Sequence, residues 1–432
     1  MDLRHLVVPA LVCALIGCSR PKPEAVRQTE PMTSASSPLP RRAPVASASS
    51  PVPESDVDIS AVSLPALDTR ARGALAAFVT AQRLLASERY PGDSLAITPL
   101  ARDTLPVLKR TALEAARQVI GAALGSGARS GKLLSMQVLE ALRNAGAVVV
   151  VRGSSTDKQE VGAIRKIEIK RPAGHPTKLG VVIELSLPCD EDSSLYVLEE
   201  QPDGAPTVLL VDEANGYTDI SGGHIALAYQ LSVPDDHGGW FAVISTAAPW
   251  CSSAWRGIRT RVLEPGPSAE APRILWSEHS SAFLEHDEVG AITAGRDDFE
   301  VRYVDHAPPF SEGDIRDHVH HYVRGPTGFE RVQPIVAKAI DLPGEWIAMP
   351  WGEARRFVPG GAAEALRSWH QQLERASKTC SGRIAVERED ETTGRTRLSL
   401  TSERCTALPP RLVFEVEKDG DGWVMAAVAK AQ

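Results

Sequence analysis

The sequence lacks the motifs by which common hydrolases are recognised. It contains neither HExxH nor GxSxG, so the usual signatures of zinc metalloproteases and of α/β-hydrolases are absent. No two cysteines have CxxC spacing, which disfavours a structural zinc site. Internal repeats of the kind that build a propeller are also lacking. No catalytic residue can therefore be assigned from a motif.

Positive charge and aromatic side chains are scarce as well. The chain of 432 residues has 47 Lys and Arg against 55 Asp and Glu, a net charge of −8, which argues against nucleic acid as a partner. Aromatic residues make up 5% of it, while the apolar content of 43% is that of an ordinary soluble globule. The apolar run Leu6–Ile16 is too short for the roughly 20 residues that span a bilayer.

That short run ends in a recognisable sequence, Leu15-Ile16-Gly17-Cys18. A polar start with Arg4 precedes the run, as in an export signal. The four residues resemble the lipobox of bacterial lipoproteins, in which the cysteine becomes the first, acylated residue of the mature protein. The resemblance implies a signal peptide over 1–17, anchoring to a lipid bilayer through Cys18, and location in the cell envelope. Ser19, where an Asp would imply inner-membrane retention, favours the outer membrane.

The composition of residues 18–55 is typical of a disordered tether. Eight prolines and eight serines fall between residues 19 and 55, with almost no large apolar residue among them. Such a segment cannot bury enough surface to offset its ordering entropy and is expected to be disordered. A Pro-rich chain extends by about 3.1 Å per residue, so the tether could reach on the order of 100 Å.

The remaining chain predicts an α+β fold in three parts. Residues 56–146 show helical periodicity, with helices near 67–86, after Thr104 and over 132–144. Residues 147–358 alternate with the period of two typical of strands, which predicts an antiparallel β-rich domain. Residues 359–432 read as one helix and four strands, a small α+β module. The loop Gly125–Lys132 lacks the first glycine and the Ser or Thr of a phosphate-binding loop, so we interpret it as a helix–helix connection.

Four cysteines follow the anchor: Cys189, Cys251, Cys380 and Cys405. An even number in an oxidising compartment predicts disulfides, with three possible connectivities. Pairing Ile384 and Val386 with Leu400 and Leu398 in a hairpin brings Cys380 opposite position 404, one residue from Cys405, a difference that a bulge at Gly394 could absorb. We therefore predict a Cys380–Cys405 bond. The second predicted pair is Cys189–Cys251.

Tryptophans cluster around Cys251. Trp250 and Trp255 flank it in the sequence Pro-Trp-Cys-Ser-Ser-Ala-Trp. They could line a binding groove for sugar or peptide. The alternative, which we favour because aromatic side chains mostly serve cores, is a tryptophan packed on a Cys189–Cys251 disulfide.

A second candidate site is the histidine-rich sequence Asp317-His-Val-His-His-Tyr322. On a strand, His318 and His320 share a face, a spacing that suits two ligands of zinc or a similar metal. Asp305, His306 or His279 could supply a third ligand or an orienting carboxylate. The same spacing is common in ordinary exposed strands.

Two functions remain open. The anchor, the tether and the absent motifs favour an exported, membrane-anchored lipoprotein without catalytic activity that binds a protein or an envelope polymer, and needs no cofactor. The alternative is an exported hydrolase, metal-dependent through His318 and His320. Neither function specifies an oligomeric state.

Overall fold

Three helices begin the folded part of the chain. In the computed structural model, α1 spans Thr69–Leu85, α2 spans Pro99–Gly125 and α3 spans Gly131–Asn144. The side chain of Thr98 caps α2 by accepting from the Ala101 N–H, and Pro99 occupies the first turn. The predicted start after Thr104 is wrong, because Thr98-Pro99 supplies the same signal earlier and Pro106 is tolerated inside the helix. The connection between α2 and α3 is the predicted helix–helix loop.

The structure describes residues 66–86, 88, 96–150, 161–187, 190–202, 204–219, 222–248, 255–284, 289–306, 308, 310–311, 315–380, 384–402 and 405–431. These residues belong to one compact unit, Val57–Gln432. The lipobox, the tether, Cys189, Trp250 and Cys251 lie outside the described residues, so the predictions made for them stay predictions.

Sixteen strands among the described residues form four antiparallel sheets of four strands each. The first sheet contains β1 (Ile164–Lys170), β2 (Lys178–Leu187), β3 (Asp190–Glu199) and β4 (Thr207–Asp212). The second contains β5 (Ile225–Leu231), β6 (Ala242–Ala247), β7 (Trp255–Glu264) and β8 (Arg273–Phe283). The third contains β9 (Ala291–Ala294), β10 (Asp298–Asp305), β11 (Arg316–Gly325) and β12 (Gly328–Arg331). The fourth contains β13 (Ile384–Thr392), β14 (Arg395–Ser402), β15 (Arg411–Asp419) and β16 (Gly422–Lys430). The predicted α+β class is confirmed.

The first three sheets stack in layers. The three helices cover one face of the first sheet in a shared core that includes Phe78, Leu108 and Ile183. The other face of that sheet packs on the second sheet, and the second sheet packs on the third around Phe299 and Tyr322. All six residues of β6 are buried, as expected for a strand covered on both faces.

The C-terminal part has a core of its own. Helix α6 spans Ala363–Thr379. Its buried face packs on apolar side chains of the fourth sheet and consists of residues at helical spacing: Leu366, His370, Leu373 and Ala376. Helices α4 (Leu342–Ala348) and α5 (Trp351–Ala354) contribute Trp346 and Ala354 to it.

These cores cross two of the predicted domain boundaries. The helices of 56–146 share their core with the first sheet, and residues from Ile335 onward belong to the C-terminal core instead of the β-rich part. The reason is that an apolar stripe on a helix requires a partner surface, and periodicity does not identify which surface covers it.

The predicted disulfide is confirmed, but the register on which it rested is wrong by two residues. Cys380 and Cys405 are bonded, with their Cα atoms 5.2 Å apart. Val386 pairs with Leu400, where the prediction had Leu398, and the bulge lies at Arg388–Asp390 instead of Gly394. The shift keeps the same side chains on the buried face, because side chains alternate with a period of two.

Candidate functional site

The inner face of the third sheet changes from apolar to polar along β10 and β11. Phe299 pairs with Tyr322 near one end, followed by Val301 with His320, Tyr303 with His318, and Asp305 with Arg316. Because side chains alternate along a strand, these residues all point to one face, and all are buried. A sheet that begins as an ordinary sandwich core thus ends in a buried polar cluster.

Glu345 enters this cluster from α4. The helix begins with Leu342-Pro343, and Pro343 suits the first turn because that position needs no backbone donor. Gly344 lies against Arg316, and a Cβ at this position would collide with the guanidinium. The close approach brings the Glu345 carboxylate into the end of the sandwich.

The carboxylate of Glu345 is surrounded by cationic and imidazole groups. Its Oε2 accepts a hydrogen bond from Arg331 Nη2 at 2.7 Å, and Arg316 Nη2 lies 3.6 Å from Oε1. His318 Nδ1 lies 2.6 Å from Oε1, and His320 Nε2 lies 3.2 Å from Oε2. Among the described residues, His318, His320 and Glu345 are the one set of three metal-capable side chains whose ligand atoms lie within 4.8 Å of one another.

The electrostatics of the cluster separate the two histidines. Burial lowers the pKa of His320, and the nearby Arg331 lowers it further. Burial also opposes protonation of His318, but Glu345 and Asp305 outweigh it and raise that pKa above its ordinary value. Burial would raise the pKa of Glu345, yet Arg331 and the histidines hold it well below its usual range. Glu345 is therefore a carboxylate at neutral pH.

A cleft of about 920 Å³ lies beside the cluster. His318, Arg316 and Tyr303 form part of its wall, and Ile315 and Lys338 also line it. The volume falls within the range of about 300–1,000 Å³ that is typical of ligand sites. The buried cluster thus borders a space large enough for a small ligand or a segment of polymer.

Of the predicted metal-site residues, the structure brings His318, His320 and Asp305 into the cluster and leaves His306 and His279 outside it. His318 and His320 share the buried face, as predicted from their spacing, whereas exposure had been the expected alternative. Asp305 lies 3.8 Å from His318 Nε2, on the far side of the ring from Glu345, and is not among the three converging side chains. His306, proposed as a ligand, lies outside the cluster because the chain turns after β10. His279 is exposed on β8.

Sequence reasoning missed Glu345 and Arg331. Both side chains are buried, and together they form an ion pair with Arg331 Nη2 2.7 Å from Glu345 Oε2. Glu345 follows His320 by 25 residues on a helix that was not predicted, because Pro343-Gly344 reads as a break. No fixed spacing connects a strand to a side chain from a separate core, so the third ligand had no sequence signal.

Trp255 of the predicted aromatic site is the first residue of β7 and is 44% exposed, with its ring edge-on to Phe283 at 5.6 Å. Trp276, which is half-buried, packs against the core between the second and third sheets, with its ring centre 4.6 Å from that of Tyr322. The core interpretation therefore does not apply to Trp255.

A second buried charge cluster lies between α2 and the first sheet. Lys109 Nζ pairs with Asp192 Oδ2 at 2.6 Å and donates to the Ala214 carbonyl at 2.8 Å. The hydroxyl of Tyr217 also donates to Oδ2, and the His224 backbone N–H donates to Oδ1 at 3.0 Å. Every polar atom of the Lys109–Asp192 pair is thus engaged.

In the part of the chain that the structure describes, no helix combines the length and the apolar character needed to cross a membrane. No protein-family model matches the chain, and a search of curated proteins finds no match to it.

Proposed function

We propose that this chain is an exported lipoprotein, anchored to the cell envelope through acylated Cys18, whose folded part binds an envelope component in the cleft beside His318. The observation that carries the proposal of export is the Cys380–Cys405 disulfide, because such bonds persist in oxidising compartments and are rare in the cytosol. Together with the Leu15–Cys18 sequence it supports secretion followed by lipid attachment. The tether gives the folded part a reach on the order of 100 Å from the bilayer.

Fractionation of cells that express the full chain tests the anchor. We expect the wild-type protein in the membrane fraction, released by detergent, and the Cys18→Ala variant in the soluble fraction. Cys13→Ala, within the same signal segment, is the matched control and should fractionate like the wild type. An N-terminal peptide that lacks acyl chains, or a Cys18→Ala variant that stays with the membrane, would contradict lipidation.

Binding by the cleft is supported by its size and by its mixed lining. Ile315, at the cleft, is 60% exposed and offers apolar contact area there. Lys338, Asp317 and Arg302 provide charges beside it. Apolar contact area combined with a few polar groups is the usual composition of a binding site.

Sedimentation with isolated cell-wall sacculi tests the binding role. We expect the purified protein to pellet with the sacculi and Ile315→Glu to remain in solution. Ile274→Glu is the matched control, because Ile274 is similarly exposed (57%) but lies on β8 outside the cleft. Equal pelleting of all three proteins would exclude the cleft as the binding site for this polymer.

The second candidate is an exported, metal-dependent hydrolase that uses the same cleft. The observation in its favour is that His318, His320 and Glu345 converge next to a space that can hold a substrate. The sedimentation assay separates the two functions: a hydrolase releases soluble fragments from the sacculi, whereas a binding protein leaves them intact. Release that survives the His318→Ala/His320→Ala double variant would count against the hydrolase at this site.

A further inference from the structure

Three ligand atoms in the cluster point at one another without hydrogen bonding. His318 Nδ1, His320 Nε2 and Glu345 Oε1 are buried, and none of the three has a hydrogen-bond partner; Arg316 Nη1 and Arg331 Nε of the same cluster are also unpaired. The Nδ1–Oε1 separation is 2.6 Å, yet the imidazole N–H direction is not aligned with the oxygen. Buried polar atoms in native proteins nearly always have partners. Imidazole nitrogens and a carboxylate oxygen at such close range can serve as the ligands of a bound cation.

Carboxylates stand behind both histidines. Asp305 Oδ2 lies 3.8 Å from His318 Nε2, the nitrogen that faces away from Glu345. Glu278 Oε1 lies 4.0 Å from His320 Nδ1, also the outward nitrogen. Metal-bound histidines usually donate their second N–H to such a group, which fixes the tautomer and orients the ring. Neither separation is a hydrogen bond, and the Tyr322 hydroxyl lies nearer to His320 Nδ1, at 3.5 Å. Each ring nevertheless has a carboxylate beside its outward nitrogen.

The ring of His318 is also held in place by packing. Tyr303, its cross-strand neighbour, stacks on it with ring centres 4.4 Å apart and an interplanar angle of 6°. The Glu345 carboxylate is fixed through its other oxygen by Arg331. Because Arg331 occupies Oε2, Oε1 remains as the ligand atom. Two of the three ligands are therefore oriented before any ion arrives, which lowers the entropy cost of binding.

Binding requires one rearrangement, at His318. Arg316 Nε donates to His318 Nε2 at 3.3 Å, so this nitrogen now acts as an acceptor. With a metal on Nδ1, Nε2 must carry the proton and donate to Asp305. Arg316 must then leave Nε2, and its cross-strand partner Asp305 is the adjacent carboxylate.

We propose that His318, His320 and Glu345 form a binding site for a divalent transition metal of the zinc class, with Asp305 and Glu278 as the outer carboxylates. Two imidazoles and one carboxylate suit zinc and its neighbours, whereas calcium and magnesium prefer oxygen ligands throughout. Three protein ligands leave a fourth coordination position for water or another ligand. This inference holds whether the chain is a binding protein or a hydrolase.

Cobalt titration of the full chain, stripped of metal by chelation, tests the site. We expect one Co²⁺ per chain and an intense visible absorption typical of tetrahedral coordination, displaced by one equivalent of Zn²⁺. His318→Gln, His320→Gln and Glu345→Gln should each weaken binding at least 100-fold. His321→Gln is the matched control, because His321 lies on the same strand with its side chain on the other face, paired with Asp298.

Two further measurements keep the result decisive if a ligand variant fails to fold. Asp305→Asn and Glu278→Gln retain all three ligands and should weaken Zn²⁺ binding by about 10- to 100-fold, as loss of an outer partner does. Circular dichroism of each variant verifies folding. The proposal is overturned if the folded wild-type chain binds no Co²⁺ or Zn²⁺ at micromolar concentrations, or if His321→Gln weakens binding as much as His318→Gln.

Discussion

Two buried charge clusters in this molecule look alike in composition and differ in how their polar atoms are used. The Lys109–Asp192 cluster joins α2 to the first sheet, and each polar atom of the pair has a partner. The cluster around Glu345 joins the third sheet to α4, and five of its polar atoms have no hydrogen bond: the three ligand atoms, Arg316 Nη1 and Arg331 Nε. Both clusters are buried to a similar degree.

The difference separates a structural ion pair from a ligand site. A buried charge whose hydrogen-bonding capacity is filled has nothing left to offer a ligand, and its main effect is on the free energy of unfolding. A cluster in which potential metal-ligand atoms lie close together without hydrogen bonds retains the capacity to bind a cation. The number of charges or the burial of a cluster is therefore less informative than the count of its unused polar atoms.

The largest expected effect is the loss of Lys109. Lys109→Met leaves the Asp192 carboxylate buried without its cation and should lower the free energy of unfolding by about 3–5 kcal/mol. Urea unfolding measures this loss of unfolding free energy. The loss should be the same in zinc and in chelator, because Lys109 is not part of the Glu345 cluster. Adding Asp192→Asn to Lys109→Met should recover a large part of the stability, because no unpaired charge remains. A loss below about 1 kcal/mol would contradict the structural role of this pair.

A smaller effect is expected from zinc on the Glu345 cluster. Free Zn²⁺ at 100 times its Kd should raise the free energy of unfolding of the wild-type chain by about 2.7 kcal/mol. Glu345→Gln removes a ligand and should abolish this increase, whereas Lys109→Met should retain it. Thermal unfolding with and without zinc measures the effect. Equal stabilisation of the wild type and Glu345→Gln would place the bound ion elsewhere.

Acidification tests the first cluster through His224. Burial lowers the pKa of His224, and the pKa values of buried His175 and His370 are lowered in the same way. At these three histidines the unfolded chain then binds more protons than the fold, so their contribution to stability is complete above the unfolded pKa of about 6.5 and falls as pH drops below it. Urea midpoints in chelator at pH 8, 7, 6 and 5 measure this, and His224→Gln should show a shallower loss. A midpoint independent of pH over this range would be inconsistent with neutral buried histidines.

The smallest effect is expected at the surface of the same strand. His321 Nε2 lies 3.2 Å from Asp298 Oδ2, and the two side chains are 35% and 41% exposed. Exposed ion pairs contribute about 0–1 kcal/mol, so His321→Gln should change the free energy of unfolding by less than about 1 kcal/mol. Chemical unfolding of this variant beside His320→Gln provides the measurement. A larger loss at His321 would mean that exposure is a poor guide to the role of these histidines.

Local patterns in the sequence predicted much of the fold and half of the candidate site. The period of two placed His318 and His320 on one face, and helical periodicity located α1 and α3. The strands β9 and β12, each of four residues, were too short to show a period. Glu345 could not be predicted, because it reaches the histidines through the packing of one core against another. Tertiary contacts of this kind leave no periodic signal in a single sequence.

The glycine that precedes Glu345 limits how this protein can be divided. Gly344 permits α4 to lie against Arg316, and the Glu345 carboxylate forms an ion pair with Arg331 of the third sheet. A fragment that ends after β12 would retain two buried guanidinium groups and lose the Glu345 carboxylate that lies against both. The layered sheets and the C-terminal module are therefore interdependent for expression as well as for folding, and the shortest useful fragment of the folded part extends through α6 and the fourth sheet.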